Sequence, residues 1–309
     1  MPTILFSSDI DNPALWRAMI EREFPHLTFR EWPDIGDPAD VRYALVFRIA
    51  DGVLKTLPNL RAVVALGAGV DQILKDPAFP REVPLIRLLG AGLAEQMSEY
   101  GIYAVLHFHR RMGEYLQQQA RGEWRMLEAV PPSERSVGVM GLGQLGGDLA
   151  RKLALLGFKV RGFSRRPRRI EGVACFDARE RDRFLAGAEI LINLLPLTPE
   201  TRGVLCRELF DKLPHGAYVV NMGRGPHLVE EDLIAAIDAG QIAGAMIDVF
   251  AEEPLPRTHP FWAHPRIIVT PHIAAQPVAE AALSRVAETL RALERGEMPA
   301  GRVNPARGY

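Results

Sequence analysis

Three residues have side chains and positions that could do chemistry together: Arg224, Glu253 and His272. Each lies in a short segment that follows an apolar run. The first is Asn221, Met222, Gly223, Arg224, Gly225; the second runs from Asp248 through Glu252 and Glu253 to Pro254; the third is Thr270, Pro271, His272, Ile273, Ala274. In an open α/β sheet, residues just past the carboxyl ends of the strands share the edge where ligands bind. A planar guanidinium there can grip a carboxylate or polarise a ketone. An imidazole can hand a proton to a nascent alkoxide near neutral pH. A carboxylate beside the imidazole favours its protonated form, the role expected of Glu253. The set suits reduction of a 2-oxo acid, given a hydride source. Singly, the three residues have plainer readings as a surface ion pair, a solvated loop acid and a helix cap, so the combination carries the inference. Glu252 reads as a bystander. His215, His227, His259 and His264 fall in turns and read as surface or structural residues.

The hydride source is implied by Gly141, Leu142, Gly143, Gln144, Leu145 and Gly146, a GxGxxG placed after the apolar run 137–140 and before a helix expected over 147–156. In such a turn the first glycine makes the tight bend, the second lets a pyrophosphate approach the backbone, and the third lets helix and strand pack closely. An acidic residue about 20 positions further on would accept the ribose hydroxyls of NAD. Here the next strand ends instead in Ser164, Arg165, Arg166, Pro167, Arg168 and Arg169. A hydroxyl and cations suit a 2′-phosphate, so NADPH is the expected cofactor, with NADH possible. Ser164, Arg165 and Arg166 are the expected phosphate ligands, and Arg168 and Arg169 a solvated turn.

The elements that must position these groups follow from the pattern of the chain. Short runs rich in Val, Ile and Leu alternate with helical periodicity almost throughout, the signature of parallel sheets covered by helices. Strands are expected at 4–7, 43–47, 62–66 and 85–88, then a long helix over 92–119, then six strands at 137–140, 160–163, 190–194, 218–221, 245–249 and 267–269, and a last helix over 278–295. The fold class is therefore α/β, with two Rossmann-like, doubly wound parallel-sheet domains separated by a cleft. A length of 309 residues also favours two domains. With 37 basic and 38 acidic residues and a net charge of −1, no global field favours nucleic acid or an anionic membrane. No leader-like segment or membrane-length apolar run is present, and two lone cysteines, Cys175 and Cys206, point to a reducing compartment, so a cytoplasmic location is expected. No metal site is expected.

These segments together resemble the D-isomer-specific 2-hydroxyacid dehydrogenase family over nearly the whole chain. The likeness is carried by 141–146, by Leu195, Pro196, Leu197, Thr198, Pro199, Glu200 and Thr201, by 221–225, by 248–254, and by Pro271 with His272. The family's arginine, glutamate and histidine fall on Arg224, Glu253 and His272. Within the family, Ala65 to Asp71, Glu95 to Met97, 191–196 and the closing Ala306, Arg307, Gly308, Tyr309 look most like the bacterial A-type glyoxylate/hydroxypyruvate reductases. That subgroup is similar in lacking the acid after the second strand.

The resemblance implies glyoxylate and hydroxypyruvate as substrates and a split substrate domain, 1–98 with 277–309, hinged to a cofactor domain, 99–276. It implies cofactor contacts at Leu195, Pro196, Thr201 and Met222, and Asp248 near the nicotinamide carboxamide. Backbone amides of Ala68, Gly69 and Val70 would bind substrate carboxylate, with Phe47 and Arg48 in the substrate pocket. The helix after Gln96 would help form a homodimer, with Trp124 reaching into the partner's pocket. Two other readings stay open: another family enzyme, of phosphoglycerate or phosphonate type, and a dinucleotide-sensing binding protein on the same scaffold. Retention of all three catalytic groups, with no interaction extension, favours an enzyme, and the end of the chain soon after the last helix argues against the longer phosphoglycerate enzymes.

Overall fold

The computed structural model describes residues 1–304, so the closing stretch 306–309 lies outside the described residues. The chain divides into two compact units, Met1–Leu93 with the chain from Gln276 onward, and Ala94–Ala275. The expected boundaries at 98/99 and 276/277 differ from these: the first falls inside a helix that already belongs to the second unit.

The first unit contains β1 (Thr3–Ser7), α1 (Pro13–Glu23), β2 (Thr28–Glu31), β3 (Val41–Val46), β4 (Ala62–Ala65), α2 (Asp71–Leu74) and β5 (Leu85–Ile86). The five parallel strands lie in the order β2-β1-β3-β4-β5. β1 and β4 are buried at every position, which is why Ile4, Leu5 and Phe6 and the whole of β4 read as apolar runs. β2 was not expected, because Thr28, Phe29, Arg30 and Glu31 are only partly buried and mostly polar.

The second unit opens with α3 (Leu93–His109) and α4 (Met112–Ala120). A single helix over 92–119 was expected; the chain breaks at Arg111, whose φ of 56° lies in the left-handed region, and which grips Glu114 through two hydrogen bonds of 2.6 and 2.7 Å. Then come β6 (Ser136–Met140), α5 (Gln144–Leu155), β7 (Lys159–Phe163), β8 (Val173–Phe176), α6 (Arg181–Leu185), β9 (Ile190–Asn193), α7 (Arg207–Phe210), β10 (Ala217–Asn221), α8 (Glu230–Asp238), β11 (Ile242–Ile247) and β12 (Ile267–Val269). The seven strands run β12-β11-β10-β9-β6-β7-β8, all neighbours parallel. Six were expected; β8 is the seventh, a short edge strand buried fully only at Phe176.

Alternate strand residues feed two cores, one on each face. Val137, Val139, Ile190 and Ile192 pack with Leu149 of α5 and Val105 of α3, while Leu191 and Val219 pack with Phe184, Leu209 and Leu233 of α6, α7 and α8. The strand order reverses between β6 and β9, and the loops leaving those two strands border the crevice where such sheets bind ligands. The last helix, α9 (Ala279–Glu294), belongs to the first unit and packs on α1, with Arg291 paired to Glu23. Among the described residues, no helix is long and apolar enough to cross a membrane.

Candidate active site

The glycine turn sits at the strand reversal. Gly141 has φ +100°, and a Cβ there would come within 2.5 Å of the Leu194 carbonyl oxygen. A Cβ on Gly146 would lie 2.0 Å from the Gly141 oxygen, so helix and strand are in backbone contact. A Cβ on Gly143 would meet nothing within 4 Å; that side of the turn is open, as a pyrophosphate approaching the backbone requires. α5 begins at Gln144 rather than at 147, which puts Gln144 and Leu145 in the first turn, where amide N–H groups have no partner within the helix. The residues present fit a dinucleotide phosphate.

At the end of β7, Ser164 is half-buried and its hydroxyl donates to the Arg166 carbonyl (2.6 Å), closing a short turn; Arg165, Arg166, Arg168 and Arg169 are exposed. The loop after β9 is closed by Thr201, whose hydroxyl donates to the Pro196 carbonyl (2.7 Å) and accepts from the Thr198 amide (2.8 Å). Met222, buried, starts the turn after β10.

Arg224, Glu253 and His272 follow β10, β11 and β12, three adjacent strands of this sheet. The structure joins two of them directly: His272 Nδ1 lies 2.8 Å from Glu253 Oε2. The other Glu253 oxygen accepts the Phe250 amide (2.9 Å), which fixes the carboxylate. Desolvation pushes the Glu253 carboxyl upward. The bond to His272, the Phe250 amide and the charges of His272 and Arg224 outweigh it and hold the group below the ordinary glutamate range. With Nδ1 turned to the carboxylate, Nε2 is the ring nitrogen left to exchange a proton. Arg224 is half-buried, and its Nη1 donates to the Gly223 carbonyl (2.8 Å).

His272 has φ 55°, a left-handed conformation costly for a residue with a Cβ. The loop is held in it by Asp248, fully buried just past β11. The Asp248 carbonyl accepts the His272 amide (2.8 Å), and its carboxylate accepts the Thr270 hydroxyl (2.6 Å) and the amides of Ile273 and Ala274 (both 2.9 Å). Since Thr270 donates to Asp248, it accepts from the Tyr100 hydroxyl of α3 at 2.6 Å. Burial raises the Asp248 carboxyl above its ordinary range despite these donors, and burial likewise raises the Tyr100 hydroxyl.

His227, placed by sequence among turn residues, is fully buried and within hydrogen-bond distance of Asn193 and the Arg224 amide. The signal that could have found it is the pair Asn193 and Asn221, two asparagines ending neighbouring strands. Buried amides there need polar partners.

In the first unit, Ala68, Gly69 and Val70 follow β4, and Val70 precedes the short helix α2. Phe47 and Arg48 follow β3. Arg48 is exposed and paired with Asp9 (2.7 Å), beside a cavity of about 310 Å³ also lined by Ser7, Glu31 and Trp32.

The profile of the D-isomer specific 2-hydroxyacid dehydrogenase NAD binding domain matches residues 102–274. The glyoxylate/hydroxypyruvate reductase A of Serratia proteamaculans is 45% identical over 99% of both chains, and that of Yersinia enterocolitica 43% with the same coverage. A D-isomer specific 2-hydroxyacid dehydrogenase from Xanthobacter autotrophicus Py2, solved with NADPH and MES, superposes with a TM-score of 0.94 at 39% identity, covering 100% of this chain and 99% of that one. The NADPH-dependent glyoxylate/hydroxypyruvate reductase of Sinorhizobium meliloti, solved with NADP and sulfate, gives 0.92 at 36% identity with the same coverage. With its glycine turn at the strand reversal and its histidine held against a carboxylate, the chain belongs to the D-isomer specific 2-hydroxyacid dehydrogenase family.

Proposed function

We propose that this protein is an NADPH-dependent reductase of short 2-oxo acids, converting glyoxylate to glycolate and hydroxypyruvate to D-glycerate. The observation that carries the reading is the 2.8 Å pair of His272 and Glu253 on the same strand-end edge as Arg224 and the glycine turn. The names and coverage of the relatives support the substrate class.

Gly141, Gly143, Gln144, Leu145 and Gly146 would hold the pyrophosphate, and Ser164, Arg165 and Arg166 the 2′-phosphate. Leu195, Pro196, Thr201, Met222 and Asp248 would border the remainder of the cofactor. When bound, NADPH supplies the hydride that reduces the 2-oxo carbon. Arg224 holds the substrate carboxylate or polarises its ketone. His272, protonated, gives the Nε2 proton to the substrate oxygen as it becomes a hydroxyl, while Glu253 stabilises the imidazolium and fixes the ring through Nδ1. Ala68, Gly69 and Val70 are proposed to bind carboxylate through their amides, and Phe47 and Arg48 to contact substrate. A homodimer formed through α3 and the residues after it is part of the same reading. Tyr103, Leu116, Trp124 and Met126 are exposed apolar side chains that a second copy would cover.

The test is NADPH oxidation with glyoxylate, hydroxypyruvate and pyruvate, set beside NADP⁺ reduction with phosphite and phosphoglycerate. The highest kcat/KM is expected for the first two substrates. Preference for phosphite or phosphoglycerate would assign another chemistry of the family, and NADPH binding without any turnover would make the protein a sensor. His272→Ala and Arg224→Ala are each expected to lower kcat by about 10²-fold or more while NADPH still binds. Near wild-type turnover in either removes that residue from the scheme.

A further inference from the structure

Asn193 ends β9 and Asn221 ends β10, paired in register on adjacent strands; both are fully buried, as is His227 two residues beyond Gly225. Polar side chains this deep persist because they are satisfied. Asn193 Nδ2 donates to Asn221 Oδ1 (3.0 Å) and lies 2.9 Å from His227 Nδ1. The Arg224 amide donates to the same Nδ1 (3.1 Å). A ring nitrogen facing two N–H donors must be the bare acceptor, so the proton sits on Nε2, which lies 3.3 Å from the Pro196 carbonyl. Asn221 Nδ2 donates to the Arg224 carbonyl (3.1 Å), and Asn193 Oδ1 accepts the Leu195 amide (3.3 Å). The turn closes tightly on this cluster: a Cβ on Gly223 would lie 2.9 Å from Asn193 Nδ2 and 3.1 Å from His227 Nδ1.

One end of the network therefore holds both backbone polar groups of Arg224, and the other holds the start of the loop 195–201. We propose that His227 is a positioning residue that couples the cofactor loop at Leu195 and Pro196 to the backbone of Arg224. Ordering of the loop then sets the aim of the guanidinium. The inference rests on the role proposed above for Arg224, and deepens it: cofactor and oxo-acid affinities become linked through one buried imidazole.

Two variants separate coupling from core filling. His227→Phe removes both ring contacts; His227→Asn keeps an acceptor near the Nδ1 position and loses the reach to Pro196. His227→Phe is expected to lower kcat/KM for the oxo acid about tenfold or more, chiefly through KM, and to weaken NADPH binding several-fold. His227→Asn is expected to recover only part of the oxo-acid KM, because the Arg224 amide regains an acceptor while the link to Pro196 stays cut, and NADPH binding stays weakened. Long-range ¹⁵N–¹H NMR of the wild-type ring is expected to show the Nε2–H tautomer at neutral pH. The proposal is overturned by an Nδ1–H tautomer, or by variants that lose only thermal stability with unchanged KM and NADPH affinity. If His227→Phe does not fold, the tautomer and His227→Asn decide. Should the wild-type protein reduce no oxo acid, the functional reading fails, while the tautomer and the NADPH affinity of His227→Asn still decide the coupling to the loop.

Discussion

The turns that leave β10 and β7 serve the same edge of one sheet and are built in opposite ways. After β10, Asn221, Met222, Gly223, Gly225 and His227 are buried, and the Arg224 backbone is held at both its amide and its carbonyl. After β7, Arg165 to Arg169 are exposed, and the turn is closed by the Ser164 hydroxyl on the Arg166 carbonyl. A group that must meet a reacting carbon within a fraction of an ångström needs a fixed backbone. A group that recognises a phosphate needs charge and reach, which long exposed side chains supply. Under the proposed function, substitutions in the first turn are therefore expected to act on fold and turnover together, and those in the second on cofactor choice.

The largest effect expected is from Gly225→Ala. Its Cβ would fall 1.8 Å from the Phe250 carbonyl carbon and 2.3 Å from the Ala251 nitrogen, backbone atoms that cannot swing aside. Destabilisation of about 3 kcal/mol or more is expected in urea unfolding, with loss of turnover. An alanine variant of near wild-type stability would show that the turn is not locked. Next comes Arg165→Ala, expected to weaken NADPH about tenfold while leaving NADH affinity and urea midpoint nearly unchanged. That is the lower end for a charge-assisted contact, because the guanidinium is exposed. Equal loss for both cofactors would break the contrast between the turns.

The smallest effect concerns Glu253, which is bonded to the Phe250 amide and to His272 yet faces solvent. Its folded pKa lies below the ordinary value, so the stabilisation from its pairing is fully present above that ordinary value. It is lost as pH falls through the lowered one. A ¹³C titration of the side-chain carboxyl is expected to show a midpoint below the usual glutamate range; a midpoint at or above it would mean that the pair with His272 does not hold in solution.

Much of this was legible in the chain. Buried parallel strands announce themselves as Val, Ile and Leu runs, and the glycine turn, Arg224, Glu253 and His272 each follow one, so topology alone brings them to one edge. What escaped has a physical reason in each case. β2 and β8 are four-residue edge strands: the first is mostly polar, and the second, although apolar, is fully buried only at Phe176, so neither shows a buried-strand run long enough to stand out. The break at Arg111 depends on a left-handed non-glycine residue that no local residue type signals. His227 looked like a turn residue because its burial is created by tertiary packing, and only the two strand-ending asparagines hinted at it. The roles of Ala68, Gly69, Val70, Phe47 and Arg48 came from resemblance rather than from any pattern in their own sequence.

Asp248 gives this site a modular character. The hydrogen bonds described for the Thr270 hydroxyl and for the amides of His272, Ile273 and Ala274 all end on this one residue. The five residues 270–274 hang from it as a cassette. Anyone transplanting the imidazole to another open sheet would need to carry that aspartate and the cassette as one part, and grafting the histidine alone would leave its left-handed backbone unsupported.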